Sequence, residues 1–83
     1  MKNITYSKQA IKIFRKMPAN AAKTIRAKIE HYAKYPESMA ANVKPLQGVD
    51  AMRLRVGDWR VVFSETGKEI AIIKIASRGS IYE

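Results

Sequence analysis

The segment Met52–Val56 alternates apolar residues with Arg53 and Arg55, and after a Gly-Asp step a second alternating run starts at Trp59-Arg60. This pattern predicts a β-hairpin with one apolar face and one face rich in arginine. Guanidinium groups on a short, stiff ribbon are well suited to binding phosphate. Arginine also occurs on solvated strand faces, so this segment by itself leaves both a phosphate-binding face and a solvent face open.

The overall charge favours the first of these interpretations. Sixteen Lys and Arg against seven Asp and Glu leave a net charge of +9 on 83 residues. So much charge of one sign opposes compaction, and a nucleic acid would compensate it with release of counterions. An acidic protein partner is compatible with this, and a basic protein with scattered charge is the plain alternative. A membrane surface is disfavoured, because no helix pattern combines a basic face with a broad apolar one.

Length and composition limit the possible architectures. The chain is long enough for one domain, predicted over residues 1–83. It has no cysteine, so we expect neither disulfides nor a thiolate metal site, and no cofactor. No apolar stretch resembles a signal peptide or is long enough to cross a bilayer. We therefore expect a cytoplasmic protein.

Hydrophobic periodicity predicts a strand and two helices in the first half of the chain. Alternation over residues 3–6 indicates a short strand, after which Ser7 caps a helix that ends at Pro18. Asn20 is predicted to cap a second helix that ends near Tyr35-Pro36. Because so few residues join the two helices, we expect them to form a hairpin.

The second half is predicted to be a loop followed by three strands. The loop runs from Glu37 to Gly48, and the strands cover Met52–Val56, Trp59–Ser64 and Glu69–Ala76. The order β-α-α-β-β-β predicts an α+β fold in which the two-helix hairpin packs on one face of a small, mostly antiparallel sheet.

If the helices cover one sheet face, the period of two in strands assigns the arginines to the other. Arg53, Arg55 and Arg60 then share that face with Val62. Lys74 is a further candidate for it, and we expect Lys74 to contact RNA. We expect Arg60 to be exposed. The remaining lysines that we expect to contact RNA lie on the helices and in the loop: Lys12, Lys16, Lys23, Lys28 and Lys44.

Several motifs occur in a fixed order along the chain. They are Ser7-Lys8-Gln9-Ala10, Lys16-Met17-Pro18, Lys44-Pro45-Leu46-Gln47-Gly48, the arginine-rich run that ends at Phe63, and the tail Arg78-Gly79-Ser80-Ile81-Tyr82. As an ordered set in a short basic chain, they resemble the RelE/ParE superfamily of bacterial and archaeal toxins over almost the whole length.

The resemblance implies a RelE-like fold and a cognate acidic antitoxin that wraps and inhibits the toxin. It also implies a hetero-oligomeric toxin–antitoxin complex that binds DNA through the antitoxin. RelE-like toxins enter the ribosomal A site and cut mRNA there, whereas ParE-like toxins poison DNA gyrase and lack the RNase residues.

The choice between the branches depends on five residues that match RelE-like enzymes and that the resemblance makes catalytic: Arg53, Arg55, Arg60, Arg78 and Tyr82. Two positions depart from the best-known enzyme, since Ala51 replaces a lysine and Ala76 replaces an arginine. We therefore expect slower or differently arranged cleavage. A gyrase inhibitor and a non-catalytic basic RNA-binding module remain the alternatives.

The residue types limit the chemistry. Arginine is a poor base but stabilises developing negative charge well. Tyr82 could stack on a base or donate a proton. The only histidine, His31, is expected on a solvated helix face, and Trp59 is expected in the core. With such weak proton-transfer groups, alignment of the RNA by the ribosome must supply much of the rate, and free RNA should be cut poorly.

Overall fold

The structure, a computed structural model, describes residues 2–77, so that two predicted site residues, Arg78 and Tyr82, lie outside the described residues. The elements are β1 (Asn3–Tyr6), α1 (Lys8–Lys16), α2 (Ala19–Lys34), a 3₁₀ helix (Pro36–Asn42), β2 (Val43–Pro45), β3 (Met52–Val56), β4 (Trp59–Glu65) and β5 (Glu69–Ser77).

The five strands form one sheet in the order β1-β5-β4-β3-β2. β1 pairs with β5 in parallel, and the other three pairs are antiparallel. The predicted α+β class, the element order and the mostly antiparallel sheet are confirmed. The β3–β4 turn contains Gly57 with a φ of 59°, a conformation that glycine adopts readily in two-residue hairpin turns.

Helix α1 begins and ends as its sequence predicts. The Ser7 Oγ accepts a hydrogen bond of 3.1 Å from the Ala10 N–H, as an N-cap does. The same hydroxyl donates to the Ile73 carbonyl oxygen at 2.6 Å, which fixes the start of the helix to the sheet. The helix ends before Pro18, which cannot continue it.

The predicted N-cap of α2 is wrong by two residues. The helix begins at Ala19 with Pro18 at the cap position, and Asn20 lies inside the first turn. The Pro18 carbonyl oxygen accepts from the N–H groups of Ala21 and Ala22 at 3.0 and 3.1 Å. Proline is tolerated at a helix start because its missing N–H needs no partner there. The helix therefore starts directly after Pro18, two residues earlier than predicted.

The predicted loop from Glu37 to Gly48 is also wrong in its first part. It contains most of the 3₁₀ helix and the short strand β2, which pairs with β3. Pro45 lies on the edge strand, where a missing N–H is tolerated. The pairing with β3 therefore stabilises β2, although the sequence of β2 contains no clear strand pattern.

The helices cover one face of the sheet, and the core lies between the helices and this face. Its buried residues are Ala10, Phe14, Met17, Ile25, Ile29, Tyr32, Ala33, Met39, Leu54, Val56, Val61, Phe63, Ile70, Ile72 and Ile75. Trp59 packs half-buried against this core, as predicted. No helix within residues 2–77 is long and apolar enough to cross a membrane.

Candidate nucleic-acid interface

We call the sheet face that points away from α1 and α2 the open face. Val61, Phe63 and Ile75 belong to the core, so strand alternation places their neighbours Arg60 and Val62 on the open face. The sequence prediction of one arginine-bearing face opposite the helices therefore agrees with the structure.

One row of side chains crosses four strands of the open face. The pairing aligns Lys44 of β2 with Arg53 of β3, Arg53 with Val62 of β4, and Val62 with Lys74 of β5. Three of the four side chains are cationic, and Val62 lies between two of them. Val62 is only 9% exposed although it is outside the main core.

The next row contains Arg55, Arg60 and Ala76 in register. Arg60 is consequently a diagonal neighbour of both Arg53 and Lys74, at a separation that long side chains can bridge. Adjacent strands lie about 4.8 Å apart, so that Arg53 and Lys74 are separated by about 10 Å across the sheet. We call the group formed by Val62, Arg53, Arg60 and Lys74 the Val62 seat.

The prediction that Arg60 is exposed is wrong: only 9% of its surface is accessible to solvent. β4 is the central strand, and alternation along it fixes the face of the side chain but not its depth. The guanidinium lies against the β3–β4 turn, where Nη1 donates to the carbonyl oxygens of Gly57 and Trp59, both at 3.2 Å. These bonds hold the guanidinium of Arg60 at the turn end of β4, in the row next to that of Val62.

The two positions that depart from the RelE-like pattern bring no side-chain charge. Ala76 lies directly opposite Arg60. Ala51 precedes β3, and its carbonyl oxygen accepts from the Leu46 N–H at 2.9 Å. A methyl group at each place can neither exchange a proton nor bind phosphate.

The predicted helix lysines are not part of this face. Lys12, Lys16, Lys23 and Lys28 are exposed on α1 and α2, which cover the opposite side of the sheet. Of these four lysines, Lys16 alone shares with Lys74 a pocket of about 420 Å³, which lies between α1 and the edge of β5. The structure therefore separates a sheet group of cations from a helix group.

The only histidine takes part in a local network at the end of α2. His31 is exposed, as predicted, and its Nε2 lies 2.8 Å from the Ser38 Oγ. That hydroxyl donates to the Tyr35 carbonyl oxygen at 2.8 Å. Since a serine has one proton to donate, His31 is the donor in this pair, and Ser38 is not an activated nucleophile.

The strongest perturbation of an acidic group occurs behind the sheet, on the core side. The Tyr32 hydroxyl donates to the Glu65 carboxylate at 2.6 Å, and Lys2 forms an ion pair with the same carboxylate. Partial burial opposes ionisation of Glu65, but the hydrogen bonds from Lys2 and Tyr32 and the Lys2 charge outweigh it and lower the pKa of Glu65. Burial, followed by the bond to Glu65, raises the pKa of Tyr32. These groups fasten the start of the chain to α2 and β4 and do not face the seat.

Two features of the site were missed by sequence reasoning. Val62 was placed on the correct face but not recognised as an apolar floor between Arg53 and Lys74. Lys44 was assigned to a loop, so its alignment with Arg53 could not be foreseen. A Lys-Pro pair after a short β-branched residue is the one signal of β2, and it is weak.

Comparisons with known proteins agree with this architecture. The sequence profile of the ParE toxin of type II toxin–antitoxin systems, parDE, matches residues 4–82. No curated protein sequence matches the chain. Since the profile spans almost all of the sequence, the chain belongs to this toxin family, within the RelE/ParE superfamily.

Solved structures of similar fold include RelE toxins in complexes with RelB antitoxins. The archaeal RelE–RelB complex from Pyrococcus horikoshii is 27% identical, with 94% of this chain and 96% of that chain covered and a TM-score of 0.77. The complex from Methanococcus jannaschii is 23% identical over 95% of both chains, with a TM-score of 0.76. The intact E. coli RelBE complex is 17% identical over 93% and 96%, with a TM-score of 0.75. The protein is thus a type II toxin with the RelE fold.

Proposed function

We propose that this toxin is a ribosome-dependent endoribonuclease that cuts mRNA in the A site and thereby inhibits translation. The observation that carries the proposal is the Val62 seat, where Arg53 and Lys74 flank a buried valine and Arg60 is held in the next row, at the β3–β4 turn. Arg53 and Lys74 are half-buried, so water screens their charges less than on an exposed surface, which strengthens their interaction with a phosphate.

The seat supports one part of the cleavage reaction better than the others. When a 2′-oxygen attacks phosphorus, negative charge grows on the phosphoryl oxygens, and Arg53 and Arg60 are placed to stabilise it. Arg55, Arg78 and Tyr82 complete the catalytic set that we propose from the resemblance. Few groups could move protons, so the ribosome must align the RNA. We propose that Lys44 and the helix lysines Lys12, Lys16, Lys23 and Lys28 bind RNA backbone, chiefly rRNA.

The proposed partner outside the ribosome is a cognate antitoxin with an acidic segment. The net charge of +9 would attract it electrostatically and make association sensitive to salt. The related RelE chains were solved with RelB antitoxins, which supports a hetero-oligomeric toxin–antitoxin complex. We propose that this complex binds DNA through the antitoxin. We propose that the domain over residues 1–83 acts in the cytoplasm, where mRNA is translated, and that it uses no cofactor.

Primer extension on cellular mRNA after induction of the toxin tests the proposal. We expect cuts within translated codons, with 2′,3′-cyclic phosphate or 3′-phosphate ends, which disappear when translation initiation is blocked. Binding to ribosomes without any cut would indicate a non-catalytic RNA-binding module.

A gyrase inhibitor is the second candidate, because the matching profile is that of ParE. It predicts trapped gyrase–DNA breaks and intact mRNA after induction. Linearised plasmid recovered with gyrase, together with unchanged primer-extension products, would show that the toxin is a gyrase inhibitor and not a ribonuclease.

A further inference from the structure

We propose that Lys74 is the general acid of the cleavage reaction and gives a proton to the 5′-oxygen that leaves. This inference rests on the proposed function and assigns a step within it. Lys74 is a half-buried residue of β5, and it lies beside Val62 on the side opposite Arg53.

The residue types on the open face leave few proton donors. The described arginines of this face, Arg53, Arg55 and Arg60, release protons very reluctantly. Two described carboxylates lie nearby: Asp58 in the β3–β4 turn, and Glu69, which accepts a hydrogen bond from Thr5 at 3.0 Å. Asp58 lies roughly 13 Å along β4 from Val62 and Glu69 roughly 16 Å along β5 from Lys74, too far for direct proton transfer.

The position of Lys74 also suits the step. Lys74 pairs directly with Val62, so the two side chains are neighbours on the open face. Lys74 also lines, together with Ala76 and residues of α1, a pocket of about 420 Å³ at the edge of β5, so open space adjoins its side chain. The ammonium can therefore reach a ligand over Val62 from the β5 side, while Arg53 binds the phosphate from the β3 side.

Lys44 is the other lysine of the row, and it is less suited to the step. It is exposed on the edge strand β2 and is separated from Val62 by Arg53. An exposed ammonium beyond the guanidinium is placed to bind the neighbouring RNA backbone. Lys74, by contrast, pairs directly with Val62.

Proton transfer from Lys74 accompanies the exchange of bonds at phosphorus. The 2′-oxygen forms a bond to phosphorus, and its proton passes to a water molecule. The bond between phosphorus and the 5′-oxygen breaks, and the electron pair stays on that oxygen. The 5′-oxygen takes a proton from Lys74 Nζ, and the neutral amine regains a proton from solvent. The products are a 2′,3′-cyclic phosphate and a 5′-hydroxyl.

The test uses Lys74→Met and two mRNAs that differ at one atom. One carries the natural 5′-oxygen at the cleaved linkage of the A-site codon, and the other carries sulfur there. A thiolate leaves without protonation, since thiols ionise near a pKa of ~8.5. Single-turnover cleavage on programmed ribosomes at saturating toxin is measured for both mRNAs.

We expect Lys74→Met to cut the oxygen mRNA about a hundredfold more slowly than the wild type, as for the loss of a general acid. On the sulfur mRNA the variant should come within about threefold of the wild type, because no acid is then needed. The matched control is Arg53→Met, which removes one charge from the other side of Val62. Its defect should be equal on both mRNAs, since charge on the phosphoryl oxygens develops with either leaving group.

Each other outcome has a defined meaning. If the wild type cuts the oxygen mRNA and Lys74→Met is equally impaired on both, or on neither, Lys74 is not the acid and only this inference fails. If the wild type leaves the oxygen mRNA intact, the proposed function fails as well. Lys74→Gln serves as a second neutral variant, and thermal unfolding together with antitoxin binding verifies that both variants fold.

Discussion

The side-chain amide of Gln9 pairs with both backbone groups of Ile75. Its Nε2 donates to the Ile75 carbonyl oxygen at 3.3 Å, and its Oε1 accepts from the Ile75 N–H at 3.1 Å. β1 pairs with β5 only as far as Ile72, so Gln9 replaces a neighbouring strand where β1 has ended. This pairing fixes α1 to the strand that carries Lys74.

We predict that Gln9→Ala lowers the free energy of unfolding by about 1–2 kcal/mol, because two partly buried backbone groups lose their partner. Lys8→Ala is the control, since Lys8 is exposed in the same turn of α1. Urea unfolding measures the difference, and amide hydrogen exchange should speed up at Ile75 in the first variant only. Equal stability and equal exchange in the two variants would contradict the pairing.

Stability should fall in acid in a way that depends on Glu65. The pKa of this carboxyl is lowered in the folded protein from its ordinary 4.5. Its stabilising contribution is therefore complete above about pH 4.5 and is lost as the pH falls through the folded-state pKa.

The expected result is a steeper acid loss of unfolding free energy for the wild type than for Glu65→Gln, as measured by urea unfolding from pH 3 to pH 7 (roughly the range over which carboxylates titrate). Glu37→Gln is the control, because Glu37 is exposed in the 3₁₀ helix. Parallel pH profiles for wild type and Glu65→Gln would show that the bonds from Lys2 and Tyr32 contribute nothing.

Arg60 should affect stability as well as cleavage. Arg60→Ala removes a charged donor from the carbonyls of Gly57 and Trp59, which should cost about 1.5–3 kcal/mol of unfolding free energy. Its single-turnover rate should fall on the order of a hundredfold, because the charge beside the phosphate is lost.

Arg55→Ala provides the comparison for the stability effect. Arg55 is exposed and directly opposite Arg60, so its removal relieves repulsion between like charges and should leave stability unchanged or slightly higher. Chemical denaturation of the two variants tests this. A larger loss of stability in Arg55→Ala than in Arg60→Ala would mean that the burial of Arg60 does not matter.

The helix lysines should affect binding and not chemistry. We expect Lys12→Ala, Lys23→Ala and Lys28→Ala each to weaken ribosome binding and to lower the salt slope by roughly one unit or less. The cleavage rate at saturating toxin should stay the same, because such contacts are equal in ground and transition states. Lys68→Ala, an exposed charge in the β4–β5 turn, is the control for net charge. A helix variant that lowers the saturated rate as much as Arg53→Met does would contradict the division into two groups of cations.

Local sequence patterns predict much of this fold. The 3.6-residue stripe of Ala10, Phe14 and Met17 gives α1 its buried face, and the two-residue period assigns Arg53 and Arg60 to the face opposite the helices. These patterns report which side of an element is apolar, which is the information that fixes layers.

Features that depend on distant pairing could not be predicted. β2 is stabilised by its pairing with β3. Arg60 is buried because it lies on the central strand of the sheet and donates to carbonyl oxygens of the β3–β4 turn. The irregular pairing between Val62 and Phe63 changes the register of β5, so that Val62 meets Lys74 while Phe63 meets Ile72. A single sequence contains no local signal for such a shift, and the composition of the Val62 seat depends on it.

The most direct test of the central claim, that the open face cuts mRNA, uses purified ribosomes programmed with a labelled mRNA. The wild type should cleave within the A-site codon, and Arg53→Met should be on the order of a hundredfold slower at saturating toxin. A parallel reaction with purified gyrase and supercoiled plasmid should give no trapped breaks. Intact mRNA in the first reaction, together with linearised plasmid in the second, would contradict the claim.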